Sequence, residues 1–270
     1  MEAYPLQPGS PQSSARPISP QCSFQYQPTP SHHPPPPSHF TTPDSTPNDS
    51  QPPPSEPTTQ LTTLAPLTPW TPPTSFPRPL AIIGAGDLGR RIASVFTAAG
   101  HTVHLRDPSP RALTSALTYI STHKSEYEKY ILLPRAPGPC HAFNDLTSAV
   151  SNAWLAIETV PEQLALKVDV MGELDEKTPR DCILASNSSS FKTSFMVEKV
   201  CRERRPLVCN MHFTMPPRIR AVELMTNGET YLEVLSFLTW VLDDCGMMPV
   251  TARKEEGTGL VRSHCLNTVN

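Results

Sequence analysis

Apolar positions along the chain fall into two regimes. From Leu80 onward, short apolar runs alternate with stretches where large apolar residues recur every three or four positions; before it there is almost no apolar periodicity. The runs 80–83, 102–105, 153–157, 182–185, 207–211, 221–224 and 248–251 read as strands, most of them apolar enough to be buried on both faces. Helical spacing predicts helices from Leu88 to Gly100, from Pro108 to about Tyr130, over 145–150, from Pro161 to about Lys177, over 194–202 and over 229–244. The segment Pro134-Arg-Ala-Pro-Gly-Pro139 ends the second of these. Alternating strands and helices predict an α/β fold with a doubly wound, mostly parallel sheet.

Composition explains the silent first regime. Of 34 prolines, 23 precede Leu80, among Ser, Thr, Gln and His. Such a segment cannot bury enough surface to offset its ordering entropy. Residues 1–78 are therefore expected to be a disordered Pro/Ser/Thr-rich arm, 79–253 the folded domain, and 254–270 a tail. Removing residues 1–77 should then leave cofactor affinity and melting temperature unchanged. Pro34–Pro37 and Pro52–Pro54 are candidate ligands for a proline-reading module. Ser10, Ser19, Thr29, Thr42, Thr46, Thr68 and Thr71 each precede proline and are candidate phosphorylation sites; the alternative is a passive tail.

Charge and cysteine usage narrow the classes. The net charge is −3, with no basic block, so no nucleic-acid partner is expected. No apolar run approaches a membrane span, so no membrane partner is expected either. Seven scattered cysteines without a C-x-x-C pair imply free thiols and no metal site. With no secretory or mitochondrial leader pattern, the expected location is cytoplasmic.

The strongest local signal is Gly84-Ala-Gly86-Asp87-Leu88-Gly89, set between the first strand and the first helix. Gly84 allows the tight turn, Gly86 lets a pyrophosphate approach the backbone, and Gly89 lets helix and strand pack closely. The helix start offers free N–H groups and a partial positive charge. Asp107 ends the second strand 18 residues beyond Gly89, where a carboxylate reaches ribose hydroxyls. This makes a Rossmann-type dinucleotide site. Asp107 favours NAD over NADP, because it would repel a 2′-phosphate; neighbouring Arg106 works against that preference.

In such sheets ligands sit beyond the C-terminal strand ends. That rule collects Gly84–Gly89, Asp107, Glu158–Glu162, Ser186–Ser190 and His212 on one rim. His212 closes an apolar strand and is the candidate catalytic base, since neutral imidazole can take an alcohol proton while hydride leaves the same carbon. Glu223, in an apolar context on the next strand, is its candidate partner. Asn187 and Ser188–Ser190 form a polar turn able to bond a substrate oxygen or the nicotinamide amide, or simply their own backbone. Glu162, expected in the first helical turn, can cap the helix or bond the nicotinamide ribose. Lys167, on the same helix, is either near the cofactor or solvated.

These pieces together resemble the NAD-binding domain of the L-3-hydroxyacyl-CoA dehydrogenases, a superfamily that includes lambda-crystallin-like L-gulonate 3-dehydrogenases. The matching stretches are Ile83-Gly-Ala-Gly-Asp-Leu-Gly89, Ile157-Glu-Thr-Val-Pro-Glu162 with Lys167, Ala185-Ser-Asn-Ser-Ser-Ser190, Met211-His-Phe213 with Pro216, and Ala221-Val-Glu-Leu224. The resemblance implies His212 as base, Glu223 as its partner, and Ser189 against the substrate oxygen. It places Gly84, Gly86, Asp87, Leu88, Gly89, Asp107, Glu162, Lys167 and Asn187 at the cofactor. It implies oxidation of a secondary alcohol, in a small-molecule hydroxyacyl-CoA or related hydroxy acid, to a ketone with NAD, a fatty-acid-metabolism type of reaction. Met215 stands where the family usually has Asn, and the 107–154 segment is shorter than in the acyl-CoA enzymes. After Gly257-Thr-Gly259-Leu-Val-Arg262 the family's helical domain, which closes the site and forms its dimer, does not follow. Read as a truncation, this predicts NAD binding with little turnover. The rival reading is a non-catalytic NAD-binding module whose arm recruits a partner.

Overall fold

The computed structural model describes residues 70–75, 77–133 and 135–252. The arm up to residue 69, with its proline runs and its phosphorylation candidates other than the exposed Thr71, and the tail from residue 253 lie outside the described residues.

Among the described residues eight strands form one sheet: β1 (Leu80–Ile83), β2 (Val103–Arg106), β3 (Cys140–Phe143), β4 (Leu155–Glu158), β5 (Ile183–Ser186), β6 (Val208–Met215), β7 (Ile219–Thr226) and β8 (Met248–Ala252). Their order is β3-β2-β1-β4-β5-β6-β7-β8. The first six run parallel, β7 pairs antiparallel with β6, and β8 pairs parallel with β7. The mostly parallel doubly wound sheet expected from the pattern is the one observed. The order reverses between β1 and β4, which opens a crevice at their C-terminal ends.

Six helices clothe the sheet: α1 (Asp87–Ala98), α2 (Pro110–Thr122), α3 (Lys124–Glu128), α4 (Leu146–Val150), α5 (Leu164–Lys177) and α6 (Leu232–Asp244). The period-2 alternation of the strands divides the core. Leu80, Ile82, Leu155 and Ile157 pack on one face with residues of α1, α2 and α6; Ala81, Ile83, Ala156 and Leu184 pack on the other with residues of α4 and α5. Both faces are therefore dry, which is why these strands lack a polar side in the sequence.

Several local expectations are corrected. The helix expected over 108–130 is two: Ser109 caps α2 through its side chain, and α2 stops at His123 before α3 begins. The helix expected over 194–202 is absent; short 3₁₀ turns stand at Thr193–Phe195 and at Arg202–Leu207, where Pro206 prevents an ordinary helix. The edge strand β3 had no apolar signal because its residues are half-exposed or exposed. Strand β6 runs four residues further than expected, so His212 lies inside it rather than at its end. Packing also begins ahead of the sequence-drawn boundary at 79: Pro73 is buried, and the Trp70 ring lies edge-on to Phe237 of α6 at 6.0 Å.

Candidate functional site

The turn after β1 is built from its glycines. Gly84 has φ of +117°, and a Cβ there would stand 2.7 Å from the Thr159 carbonyl oxygen. A Cβ on Gly89 would stand 1.9 Å from the Gly84 carbonyl oxygen, so any side chain would force α1 off the strand. Gly86 differs: a Cβ there meets nothing within 4 Å. It is the open side of the turn, and it is also the N-cap of α1, which no side chain caps. An uncapped twelve-residue helix pointing its first N–H groups past a bare glycine has the shape and charge that a cofactor pyrophosphate requires.

Asp107 stands beside this turn, just beyond β2. Its Oδ2 accepts from the Ala85 N–H at 2.8 Å and its Oδ1 from the Ser109 N–H at 2.8 Å. The carboxylate thus latches the glycine turn to the start of α2 and stays half-exposed at the crevice. Asp87 turns its carboxylate to Arg90 and Arg91, whose hydrogen bonds and charges hold it below its ordinary value despite partial burial. Leu88 faces the cavity.

That cavity, of about 390 Å³, is walled by Leu88, Thr159, Val160, Glu162, Lys167, Asn187, Ser189, His212, Phe213 and Thr214. The C-terminal parts of three strands, β4, β5 and β6, meet α1 and α5 there, as the strand-end rule anticipated. His212 and Glu223 stand directly opposite each other across the antiparallel pair β6–β7. Their side chains meet, Nδ1 to Oε2 at 3.1 Å, and both are buried. Asn187 is buried and ties the loop to this strand, its Oδ1 accepting from the Phe213 N–H at 2.8 Å.

Lys167 is not solvated. It is 1 % exposed, and its Nζ donates to Glu158 Oε1 at 2.7 Å and to the Val160 carbonyl at 3.2 Å, with Glu162 Oε2 at 3.1 Å. Glu158 is fully buried at the end of β4, and its other oxygen accepts from Ser186 Oγ at 2.7 Å. Glu162 is not in the first turn of the helix, because α5 begins only at Leu164. Residues 159–163 instead form the loop between β4 and α5, and Glu162 Oε1 accepts from the Ser188 hydroxyl and from the Ser190 N–H at 2.9 Å. Burial alone would raise the Glu162 carboxyl, but the bonds from Ser188 and Ser190 and the Lys167 charge outweigh it and hold it below its ordinary value. Ser188 is fully buried in this network, while Ser189 is the serine that faces the cavity.

The structure therefore brings together Gly84–Gly89, Asp107, Glu162, Lys167, Asn187, Ser189, His212 and Glu223. The sequence reading placed Glu158 on this rim but missed its pairing with Lys167, and it gave no role to Thr159. The signal for Glu158 was present: a lone acid closing the apolar run Leu155–Ile157. Thr159 carries no such signal, yet its Oγ1 donates to the Ile83 and Gly84 carbonyls and joins β4 to the glycine turn. Among the described residues no group of His, Cys, Asp and Glu side chains is arranged to hold a metal ion.

Comparison with known proteins identifies the family of this domain. Residues 79–256 match the family model described as 3-hydroxyacyl-CoA dehydrogenase, NAD binding domain. The chain is 29 % identical over 181 residues to the 5-formyl-3-hydroxy-2-methylpyridine 4-carboxylate 5-dehydrogenase of Mesorhizobium japonicum, covering 66 % of this chain and 58 % of that protein. It is 30 % identical to the lambda-crystallin homolog of Bos taurus over 191 residues, covering 68 % and 59 %. A solved structure of a 5-formyl-3-hydroxy-2-methylpyridine 4-carboxylic acid 5-dehydrogenase, described as an NAD⁺-dependent dismutase, superposes with a TM-score of 0.63 at 28 % identity, covering 70 % of this chain and 62 % of that one. The chain thus spans less than two thirds of the length of these relatives. Over that span the match is to the cofactor half, and NAD is the cofactor its glycine turn and Asp107 fit. The chain belongs to the 3-hydroxyacyl-CoA dehydrogenase family, whose NAD-binding domain it carries.

Proposed function

We propose that the protein is an NAD-dependent oxidoreductase of the 3-hydroxyacyl-CoA dehydrogenase type. It would oxidise the secondary alcohol of a hydroxyacyl-CoA or a related hydroxy acid to a ketone. The observation that carries this reading is the buried His212–Glu223 pair, 3.1 Å apart, whose His212 stands in the wall of the same cavity as Lys167, Glu162 and Asn187. A carboxylate on Nδ1 fixes the tautomer of an acid–base histidine and steadies its charged form.

When bound, NAD supplies the acceptor for the hydride. The chain's own residues do the rest. Glu223 accepts the His212 Nδ1–H, which fixes the tautomer and leaves Nε2 to take the hydroxyl proton; Glu223 then steadies the imidazolium. Ser189 donates to the oxygen on the reacting carbon. The first-turn N–H groups of Asp87, Leu88 and Gly89 would hold the pyrophosphate, and Asp107 the adenosine ribose. Glu162, Lys167 and Asn187 position the nicotinamide end. The buried cysteines Cys182, Cys209 and Cys245 suit a reducing compartment, and we place the protein in the cytoplasm. We assign the proline runs of the arm to a proline-reading partner.

The test is NADH production on 3-hydroxybutyryl-CoA, L-gulonate and L-carnitine, the last because relatives of this chain are L-carnitine dehydrogenases. Turnover on one of them that disappears in His212→Ala supports the proposal. Turnover retained by the variant removes His212 as base. Tight NADH binding with no turnover on any substrate favours the non-catalytic NAD-binding module.

A further inference from the structure

A second cavity, of about 360 Å³, lies at the opposite end of the strands, where β5 and β6 begin, and is walled by Arg180, Cys201, Glu203 and Arg204. Arg204 is unusual in two respects. It is 2 % exposed, and only one of its guanidinium nitrogens is used. Nη2 donates to Thr178 Oγ1 at 2.6 Å and to the Pro179 carbonyl at 2.8 Å. Nε and Nη1 meet no acceptor. The buried carboxylate of Asp175 acts on Arg204 through its charge, but its oxygens are engaged elsewhere: Oδ2 accepts from the Cys201 N–H at 3.0 Å, and Oδ1 lies 3.4 Å from Cys201 Sγ and 3.7 Å from Arg180.

A guanidinium does not shed its charge inside a protein. Burying one with two of its nitrogens unbonded is costly, and buried donors almost always find a partner. A ligand that accepts several N–H bonds and carries negative charge would satisfy both free nitrogens and add to the charge that Asp175 supplies. Its neighbour Arg180 reaches over the same cavity from the surface, its Nη1 contacting Cys201 Sγ at 3.5 Å with the side chain 78 % exposed.

We propose that this cavity is an anion site, and that its ligand is a compact oxyanion, of which inorganic phosphate is the simplest form, held between Arg204 and Arg180. Glu203 in the wall opposes binding and limits the site to a ligand small enough to stand clear of its carboxylate. The site is separate from the cofactor's phosphates, which belong at the glycine turn beyond the other ends of the strands.

Cys201 shares the wall and serves as the reporter. The experiment is alkylation of Cys201 by iodoacetamide, read on its own peptide, in the full chain with NADH saturating the cofactor site. Phosphate is titrated against chloride at constant ionic strength. The expected result is saturable protection of Cys201 by phosphate and none by chloride. Arg180→Gln should raise the half-protecting concentration about tenfold, the loss of one charge-assisted hydrogen bond, and Glu203→Gln should lower it. Arg204→Gln should abolish protection, and the two surface variants carry the test if that one does not fold. Protection that is equal in chloride, that never saturates, or that neither Arg180→Gln nor Glu203→Gln changes overturns the assignment.

Discussion

Replacing Lys167 by methionine keeps most of the side-chain volume and removes one charge from a place where charges cannot be hydrated. Lys167 is 1 % exposed and Glu158 is 0 % exposed, with 2.7 Å between Nζ and Oε1. In the variant, Glu158 keeps the Val160 N–H at 2.8 Å and the Ser186 hydroxyl at 2.7 Å but loses its counter-ion. Removing one partner of a buried pair costs about 3–5 kcal/mol, because the remaining charge is stranded. The two surviving hydrogen bonds put the expectation at the low end, about 3 kcal/mol. Against a total stability of about 5–15 kcal/mol this is a large fraction, and for a domain of this size it lowers the melting temperature by roughly 6–12 °C. Urea unfolding followed by the fluorescence of buried Trp154 measures it. The double variant Lys167→Met/Glu158→Gln leaves no fully buried charge unpaired, Glu162 being 36 % exposed, and should recover at least half of the loss. A single variant within about 1 kcal/mol of wild type, or a double variant no more stable than the single, would refute the claim that this pair is held together by its isolation from water.

Other consequences can be checked more briefly. Gly86→Ala meets no atom of the folded chain, so it should cost the fold less than about 1 kcal/mol while weakening NADH binding by at least tenfold, about 1.4 kcal/mol; an Ala variant that binds NADH normally would show that the pyrophosphate does not pass this glycine. Glu162 has its carboxyl held below the ordinary value of 4.5, so its contribution to stability is present above that pH and is lost as pH falls through the lower folded value. The stability gap between wild type and Glu162→Gln should therefore close on acidification, and a gap that widens would contradict the assignment. A truncation beginning at Trp70 should keep the melting temperature, whereas Trp70→Ala should lower stability by about 1 kcal/mol through loss of its edge contact with Phe237; calorimetry on both separates the packed end of the arm from the rest.

The sequence made the sheet legible because buried parallel strands are nearly all apolar, and the runs beginning at Leu80 and Ala153 have no other explanation. The glycine spacing and the strand-end rule then located most of the rim. What stayed hidden depended on tertiary contact. No local pattern distinguishes a lysine that reaches a buried glutamate from one that reaches water, so Lys167 was ambiguous until Glu158 was seen beneath it. Glu162 looked like a helix cap because Pro161 is a common helix start; its carboxylate instead serves the Ser188–Ser190 turn, and the helix waits until Leu164. Strand β3 was invisible because an edge strand with half-exposed residues has no apolar alternation to display.

The antiparallel pairing of β6 with β7 has a consequence for how the chain tolerates change. His212 and Glu223 face one another because their strands are joined by a short turn at Pro216–Arg218 with a register shift between Phe213 and Met215. Side chains alternate faces along a strand, so moving either strand by one residue would send one member of the pair to the opposite side of the sheet. The turn can therefore accept different amino acids more readily than a different number of them. A single-residue insertion there would separate imidazole from carboxylate without touching either residue, and would do so while leaving the six parallel strands and the NAD crevice in place.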